Sequence, residues 1–224
     1  SICNTCGARD GMKLAMDCLG LSFAEAARKI DLIVGNLKPD SGPQRRDMSD
    51  EDRTTLLRRT YGETRAIEPG DLAHKYLATR RIEELVYPAA LRFHPAMRDG
   101  EGGIRPAMVA MIGVPGEAKF CSMHRTFLRP DGSGKAEMDS PRKVMPGEIP
   151  DGACVMLSKW IGTGAIGIAE GIETAMSASA MFDMPVWAAI SARMLEKWLP
   201  PEGAEEVAIF GDNDLKFGGR SAAY

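Results

Sequence analysis

The last third of the chain alternates between two hydrophobic periodicities, and that alternation narrows the possible architectures more than any other feature. The stretch AIGIAEG, beginning at residue 165, is a glycine-bounded apolar run, IETAMSASAMF has helical spacing, PVWAAIS is a second apolar run, ARMLEKWL is again helical, and EVAIFGDND closes with a third apolar run. Strand–helix–strand–helix–strand succession predicts crossover connections and therefore a doubly wound parallel sheet of the α/β class. In such sheets ligands bind outside the carboxyl ends of the strands, where Glu170 follows the first strand and Asp212 and Asp214 follow the third. The three acids share one rim if the first and third strands are neighbours, which is a 2-1-3 order. Alternate strand residues face the same way, so Asp212 and Asp214 can project together while Asn213 points opposite. Two such carboxylates repel unless a cation joins them, and hard divalent ions take oxygen ligands of this kind. The competing reading is a solvated turn, since Asp, Asn and Gly are ordinary turn formers. Glu170 also opens the following helix, a position favoured electrostatically with or without a metal.

The amino-terminal part reads differently. Cys3-x-x-Cys6 followed by Gly7 has the spacing of a knuckle in which two thiolates bind one Zn²⁺, and the two further ligands that zinc requires are expected upstream of Ser1. Cys18 falls in a helical run and is expected to pack as a small hydrophobe. Five unevenly placed cysteines argue against a disulfide framework and for a reducing compartment. Ser22 and Glu25 form a capping box that opens a helix carrying Ala26, Ala27 and Ile30. Glycine, proline and charge crowd residues 35 to 48, which marks a linker. Two amphipathic helices are expected over 49–66 and 71–82, and antiparallel strands from 107 onward, with the turn region RPDGSGK among them. His74 and His94 read as packing histidines. The resulting organisation is a zinc-binding segment over 1–34, a linker over 35–50, a mixed helical and antiparallel subdomain over 51–160 and the α/β part over 161–224, so the whole is α/β with an α+β amino-terminal part.

Charge is distributed rather than uniform. The net charge of −3 and pI near 5.7 exclude a polycation that coats nucleic acid along its whole surface. Between residues 119 and 143, however, six basic residues face three acids, and between 165 and 214 nine acids face two bases. A cationic middle beside an anionic carboxyl half suits a polyanion held next to metal ions, although chance clustering on a solvated surface has the same composition. Within the basic stretch, strand alternation puts His124 and Thr126 on one face and Arg125 and Phe127 on the other. SPRKVM supplies Arg142 and Lys143 side by side, either a compact anchor for a phosphodiester or triphosphate or an exposed charged loop. No run approaches the roughly 18 apolar residues of a membrane span and the amino terminus lacks a basic and apolar signal segment, so a cytoplasmic protein without a membrane partner is expected.

IAEGIETA, followed 42 residues after its glutamate by GDND, resembles the Toprim fold of bacterial-type primases, topoisomerases and certain nucleases. HRTFLRPDGSGKA, SPRKVM, PVWAAISA and DNDLKFGGRSAA narrow the resemblance to the primase-type Toprim proteins of phages, plasmids and other mobile elements, which also carry an amino-terminal zinc ribbon. The resemblance implies that Glu170, Asp212 and Asp214 are catalytic and hold two Mg²⁺ or Mn²⁺ ions. It implies that Cys3 and Cys6 are half of the zinc ribbon, and that Arg142 and Lys143, with Arg125 and Lys135 more weakly, hold nucleotide or template. The chain departs from the family pattern at RSAAY, after which the later strand and its additional acids do not follow in this sequence. The implied activity is DNA primase, a nucleotidyltransferase joining ribonucleoside triphosphates on single-stranded DNA, with a fused or separate replicative helicase as partner. Two rivals use the same residues: a metal-dependent nuclease or phosphodiesterase, and a non-catalytic module that binds single-stranded DNA or a helicase. A topoisomerase needs a tyrosine nucleophile, and Tyr61, Tyr76, Tyr87 and Tyr224 have no recognisable context for it.

Overall fold

The computed structural model describes residues 2–3, 7–8, 11–34 and 48–211, so Cys6, Asp212 and Asp214 lie outside the described residues, and of Cys3 only the backbone is described. The chain divides into two compact units, residues 1–47 and 48–224. In the first, β1 (Ile2–Cys3) pairs antiparallel with β2 (Gly7–Ala8), and α1 (Gly11–Leu19) and α2 (Phe23–Val34) follow. The expected capping box forms: the Ser22 amide donates to Glu25 Oε2 at 2.9 Å while the Glu25 amide donates to Ser22 Oγ at 3.4 Å. Cys18 departs from expectation. It lies on α1 but is exposed, because its turn of the helix faces solvent, so it contributes no packing.

In the second unit, Ser49 caps α3 (Asp50–Gly62), its Oγ accepting the Asp52 amide at 3.1 Å, and three acids fill the first turn, where the helix dipole favours them. Then come β3 (Arg65–Ala66), α4 (Leu72–Ala78), β4 (Leu91–Arg98), β5 (Ile104–Gly113), β6 (Phe120–Phe127) and β7 (Arg142–Val144). The strands form an antiparallel sheet in the order β3-β4-β5-β6-β7. Strand β4 is masked in the sequence by Pro95; the ladder tolerates that proline because the register shifts between His94 and Met97, a bulge that frees the position from pairing. One sheet face, with Ala107, Val109, Met111, Met123 and Phe127, packs under Leu56 and Leu57 of α3. The other, with Met108, Ala110 and Ile112, packs against Ala73, Tyr76 and Leu77 of α4.

The remaining elements are β8 (Gly164–Ala169), α5 (Ile172–Phe182), β9 (Val186–Ala188), α6 (Ala192–Glu196) and β10 (Ala204–Phe210). Both pairings of β8 are parallel and the order is β10-β8-β9, which is the 2-1-3 arrangement that a rim shared by the first and third strands requires. β8 is central because Ile166, Ile168 and Ala169 are fully buried, as a strand covered on both faces requires. Its Gly167 leaves room for both neighbours, since a Cβ there would stand 2.8 Å from Val186 and from Phe210. Ala169, Ile172, Ala175, Met176, Val186 and Ala188 join the same core as α4 and β5, so the two sheets share one apolar interior. Backbone hydrogen bonds cross the seam: the Gly113 amide donates to the Cys154 carbonyl at 2.9 Å and the Val155 amide to the Ala188 carbonyl at 2.8 Å. His74 bonds the Tyr87 hydroxyl at 2.9 Å, and His94 meets Glu63 at 3.3 Å, so both histidines are satisfied by local partners. Among the described residues no helix is long and apolar enough to cross a membrane.

Gly203, just ahead of β10, has φ +83° and packs on the backbone of Gly162, so close that an added Cβ would stand 1.9 Å from the Gly162 carbonyl oxygen. Gly203→Ala is expected to lower the unfolding free energy by about 2–4 kcal/mol, combining left-handed strain with a backbone clash. Gly162→Ala, with φ +91° but open space, is expected to cost only about 1 kcal/mol. Urea titrations followed by circular dichroism compare the two.

Candidate functional site

The carboxyl ends of β8 and β10 define one rim. Ala208 pairs with Gly167, Ile209 with Ile168 and Phe210 with Ala169, so the next residues, Gly211 and Glu170, leave the sheet side by side with no strand between them. β9 lies on the far side of β8, and behind its end the Ile190 amide donates to the Glu170 carbonyl at 2.8 Å. Ile190 has φ +76°, a conformation that costs a β-branched residue on the order of 1–3 kcal/mol, so backbone strain is stored beside Glu170. Among the described residues no cluster of three or more His, Cys, Asp or Glu is arranged to hold a metal ion. Asp212 and Asp214, the partners expected for Glu170, follow β10 beyond the described residues.

One helical turn after Glu170, the half-buried Glu173 enters a cleft formed by α4, β6, β7 and the loop carrying Lys135. The Tyr76 hydroxyl donates a short hydrogen bond to Glu173 Oε1, and Lys135 Nζ stands 3.7 Å from the same oxygen. Burial alone would raise the Glu173 pKa, but the Tyr76 bond, the residue's own amide and the charges of Lys135 and Arg142 outweigh it and hold the carboxyl below its ordinary range. Burial and the Glu173 charge push the Tyr76 phenol up, opposed by Arg80, whose guanidinium lies 5.9 Å from the ring centroid. Lys135 is lowered by burial and by Arg142 and Arg80, with Glu173 opposing. His124, also facing this cleft, is buried, and its Nδ1 has no hydrogen-bond partner among the described residues. Burial drives its pKa down to about 4, with Arg142, Lys135 and Arg125 adding to the shift and Glu173 opposing it.

The four basic residues singled out in the sequence separate into two pairs. Arg142 pairs with Thr126 and Val144 with His124, which puts Arg142 on the cleft face with Lys135. Arg125 pairs with Lys143 on the opposite face. There Arg125 donates to the Val144 carbonyl at 3.2 Å and lies over Phe127, while Lys143 donates to the Asp99 carbonyl at 2.9 Å and to Glu101 at 2.7 Å. The adjacent cations of SPRKVM therefore point to different sides, because the motif is a strand rather than a loop. Sequence reasoning missed Tyr76, Arg80 and Glu173. The available signals were the spacing of four between Tyr76 and Arg80, which places them on one side of a helical turn, and the spacing of three between Glu170 and Glu173.

Residues 165–224 match the Toprim domain family. The Toprim match thus begins in β8 and includes Glu170, Glu173, Asp212 and Asp214. Residues 51–156 match a family described as Domain of unknown function (DUF7146), which takes in α3, α4 and the antiparallel sheet. The chain is similar to a solved structure of the Aquifex aeolicus primase, comprising its zinc-binding and RNA polymerase domains, at 17% identity and a TM-score of 0.46, over 96% of this chain and 59% of that one. No curated protein matches the chain.

His124 makes the cleft acid-sensitive. Its folded pKa of about 4 lies below the ordinary 6.5, so the unfolded chain takes up the proton first. The stability due to the neutral imidazole is complete above pH 6.5 and is lost as pH falls toward 4. Across that window His124→Gln is expected to flatten the decline of unfolding free energy by roughly 1–3 kcal/mol, read from chemical denaturation at a series of pH values.

Proposed function

We propose that this chain is the polymerising part of a DNA primase, a nucleotidyltransferase that synthesises short RNA primers on single-stranded DNA during replication of a phage, plasmid or other mobile element. The observation that carries this reading is the parallel register of β8 with β10, which opens Glu170 and the chain leading to Asp212 and Asp214 onto one rim, in a part of the chain that matches the Toprim family. Oxygen donors of that kind suit Mg²⁺ or Mn²⁺, and Glu170, Asp212 and Asp214 would hold the metal. Bound there, divalent cations would acidify the attacking 3′-hydroxyl and stabilise the negative charge of the departing pyrophosphate. Arg142 and Lys135, with Arg80 beside them, would receive phosphate oxygens, a contact that positions a nucleotide or template strand without reading its sequence. Arg125 and Lys143 would support β7 from behind, and Cys3 and Cys6 would take part in a zinc ribbon that contributes to template choice. Single-stranded DNA and ribonucleoside triphosphates are the substrates of this reading, and a fused or separate replicative helicase is its partner.

A metal-dependent nuclease would use the same three acids, and the two activities differ in what they need. Incubated with single-stranded DNA, labelled ribonucleotides and Mg²⁺ or Mn²⁺, the protein is expected to make products longer than one nucleotide and to leave the DNA intact. Asp212→Asn is expected to abolish synthesis with an unchanged circular dichroism spectrum. Arg142→Ala is expected to raise the KM for nucleotide and make it less sensitive to salt. DNA cleavage without added nucleotides identifies the nuclease, and full synthesis by Asp212→Asn removes the metal assignment.

A further inference from the structure

The cleft holds one carboxylate that the proposed chemistry does not use, and its neighbours surround it unequally. Glu173 Oε1 takes its close hydrogen bond from a neutral donor, the Tyr76 phenol, while the charged donor Lys135 stays at 3.7 Å, beyond hydrogen-bond contact. This is the reverse of what the two partners would do unconstrained, since an ammonium and a carboxylate in a partly buried site close to about 2.7–2.9 Å. Tyr76 is fully buried in the core beneath α4, so its hydroxyl has a fixed position and direction. Arg142 and Arg80 act on the same groups electrostatically, and the buried His124 stands with them as a neutral ring. The cleft thus contains three cations and one carboxylate whose nearer oxygen already shares its charge with the Tyr76 hydroxyl.

We propose that Tyr76 is a positioning residue: by hydrogen-bonding to Glu173 Oε1 it fixes that carboxylate and weakens its pull on Lys135, so that Lys135, with Arg142 and Arg80, remains oriented toward the cleft to receive the triphosphate of a nucleotide. Glu173 acts as the built-in counter-ion that keeps these cations from splaying apart when no phosphate is present. Without the phenol, Oε1 bears more of its charge undiluted and competes more strongly with the ligand for the lysine. This inference rests on the reading that the cleft takes nucleotide phosphates, and it adds a device that sets the strength of that contact.

Calorimetric titration with inorganic tripolyphosphate in metal-free buffer tests it, because this probe engages the cations without the catalytic acids. Wild-type protein is expected to bind it, and Tyr76→Phe to bind it about fivefold more weakly. Glu173→Gln, which removes the competing charge, is expected to bind more tightly, and Tyr76→Phe combined with Glu173→Gln to regain at least wild-type affinity. A purely structural role for the pair moves both single variants in the same direction and makes the double variant worst, and that pattern overturns the proposal, as does unchanged affinity in Tyr76→Phe. No binding by the wild-type protein overturns the cleft reading and this inference with it, whereas wild-type binding without the sign reversal overturns this inference alone. Thermal unfolding of each variant checks folding. Should Tyr76→Phe fail to fold, the same coupling is read by comparing Glu173→Gln in the wild-type and Lys135→Ala backgrounds. Tighter binding that requires Lys135 supports the positioning role, and equal tightening in both backgrounds overturns it.

Discussion

The seam between the two sheets ties the parallel sheet and its helix α5 to the antiparallel one. Residues 154 and 155 pair on one side with Gly113 at the end of β5 and on the other with Ala188 at the end of β9, so three elements far apart in sequence are held by backbone hydrogen bonds that no side chain has to supply. Around this seam the apolar residues of α4, β5, α5 and β9 merge into a single core. A core packed at crystal-like density transmits position, so α5 cannot slide relative to α4 without opening cavities. That rigidity lets a phenol at residue 76 and a carboxylate at residue 173, 97 residues apart along the chain, meet in a short hydrogen bond.

Charge on this frame is sorted by the pleat. A strand sends neighbouring side chains to opposite faces, and β6 and β7 use this to put Arg142 beside the cleft while Arg125 and Lys143 face α3. The outcome is two environments from one basic stretch. On the α3 side each cation has a local acceptor, Val144 for Arg125 and Asp99 with Glu101 for Lys143, which ties down the short strand β7. On the cleft side burial lowers Lys135 and keeps His124 neutral, and cations that outnumber their counter-ion add to both shifts by repulsion. Positive charge left incompletely neutralised in a half-buried place is costly to stability and useful for binding an anion.

Much of this was legible along the chain. The strand–helix alternation of the last third, the capping box at Ser22, the cap at Ser49 and the packing roles of His74 and His94 all follow from local chemistry: apolar runs bounded by glycine, hydroxyls ahead of helices, and isolated imidazoles among apolar neighbours. β4 was hidden because a proline interrupts its alternation and only a bulge reconciles the two. Cys18 is exposed although it lies in a helical run, because helical spacing fixes which residues share a side of a helix but not which side finds a partner.

By itself the sequence determined the alternation of elements, the positions of Glu170, Asp212 and Asp214 relative to predicted strand ends, and the concentration of positive charge between residues 119 and 143, because these depend on neighbours within a few residues. Only the tertiary structure decided that β10 runs beside β8 in register, that Arg142 and Lys143 part company, and that Tyr76, Arg80, Lys135 and Glu173 form one cluster. Those outcomes depend on which faces are buried against each other, a property of the shared core that no stretch of residues carries alone.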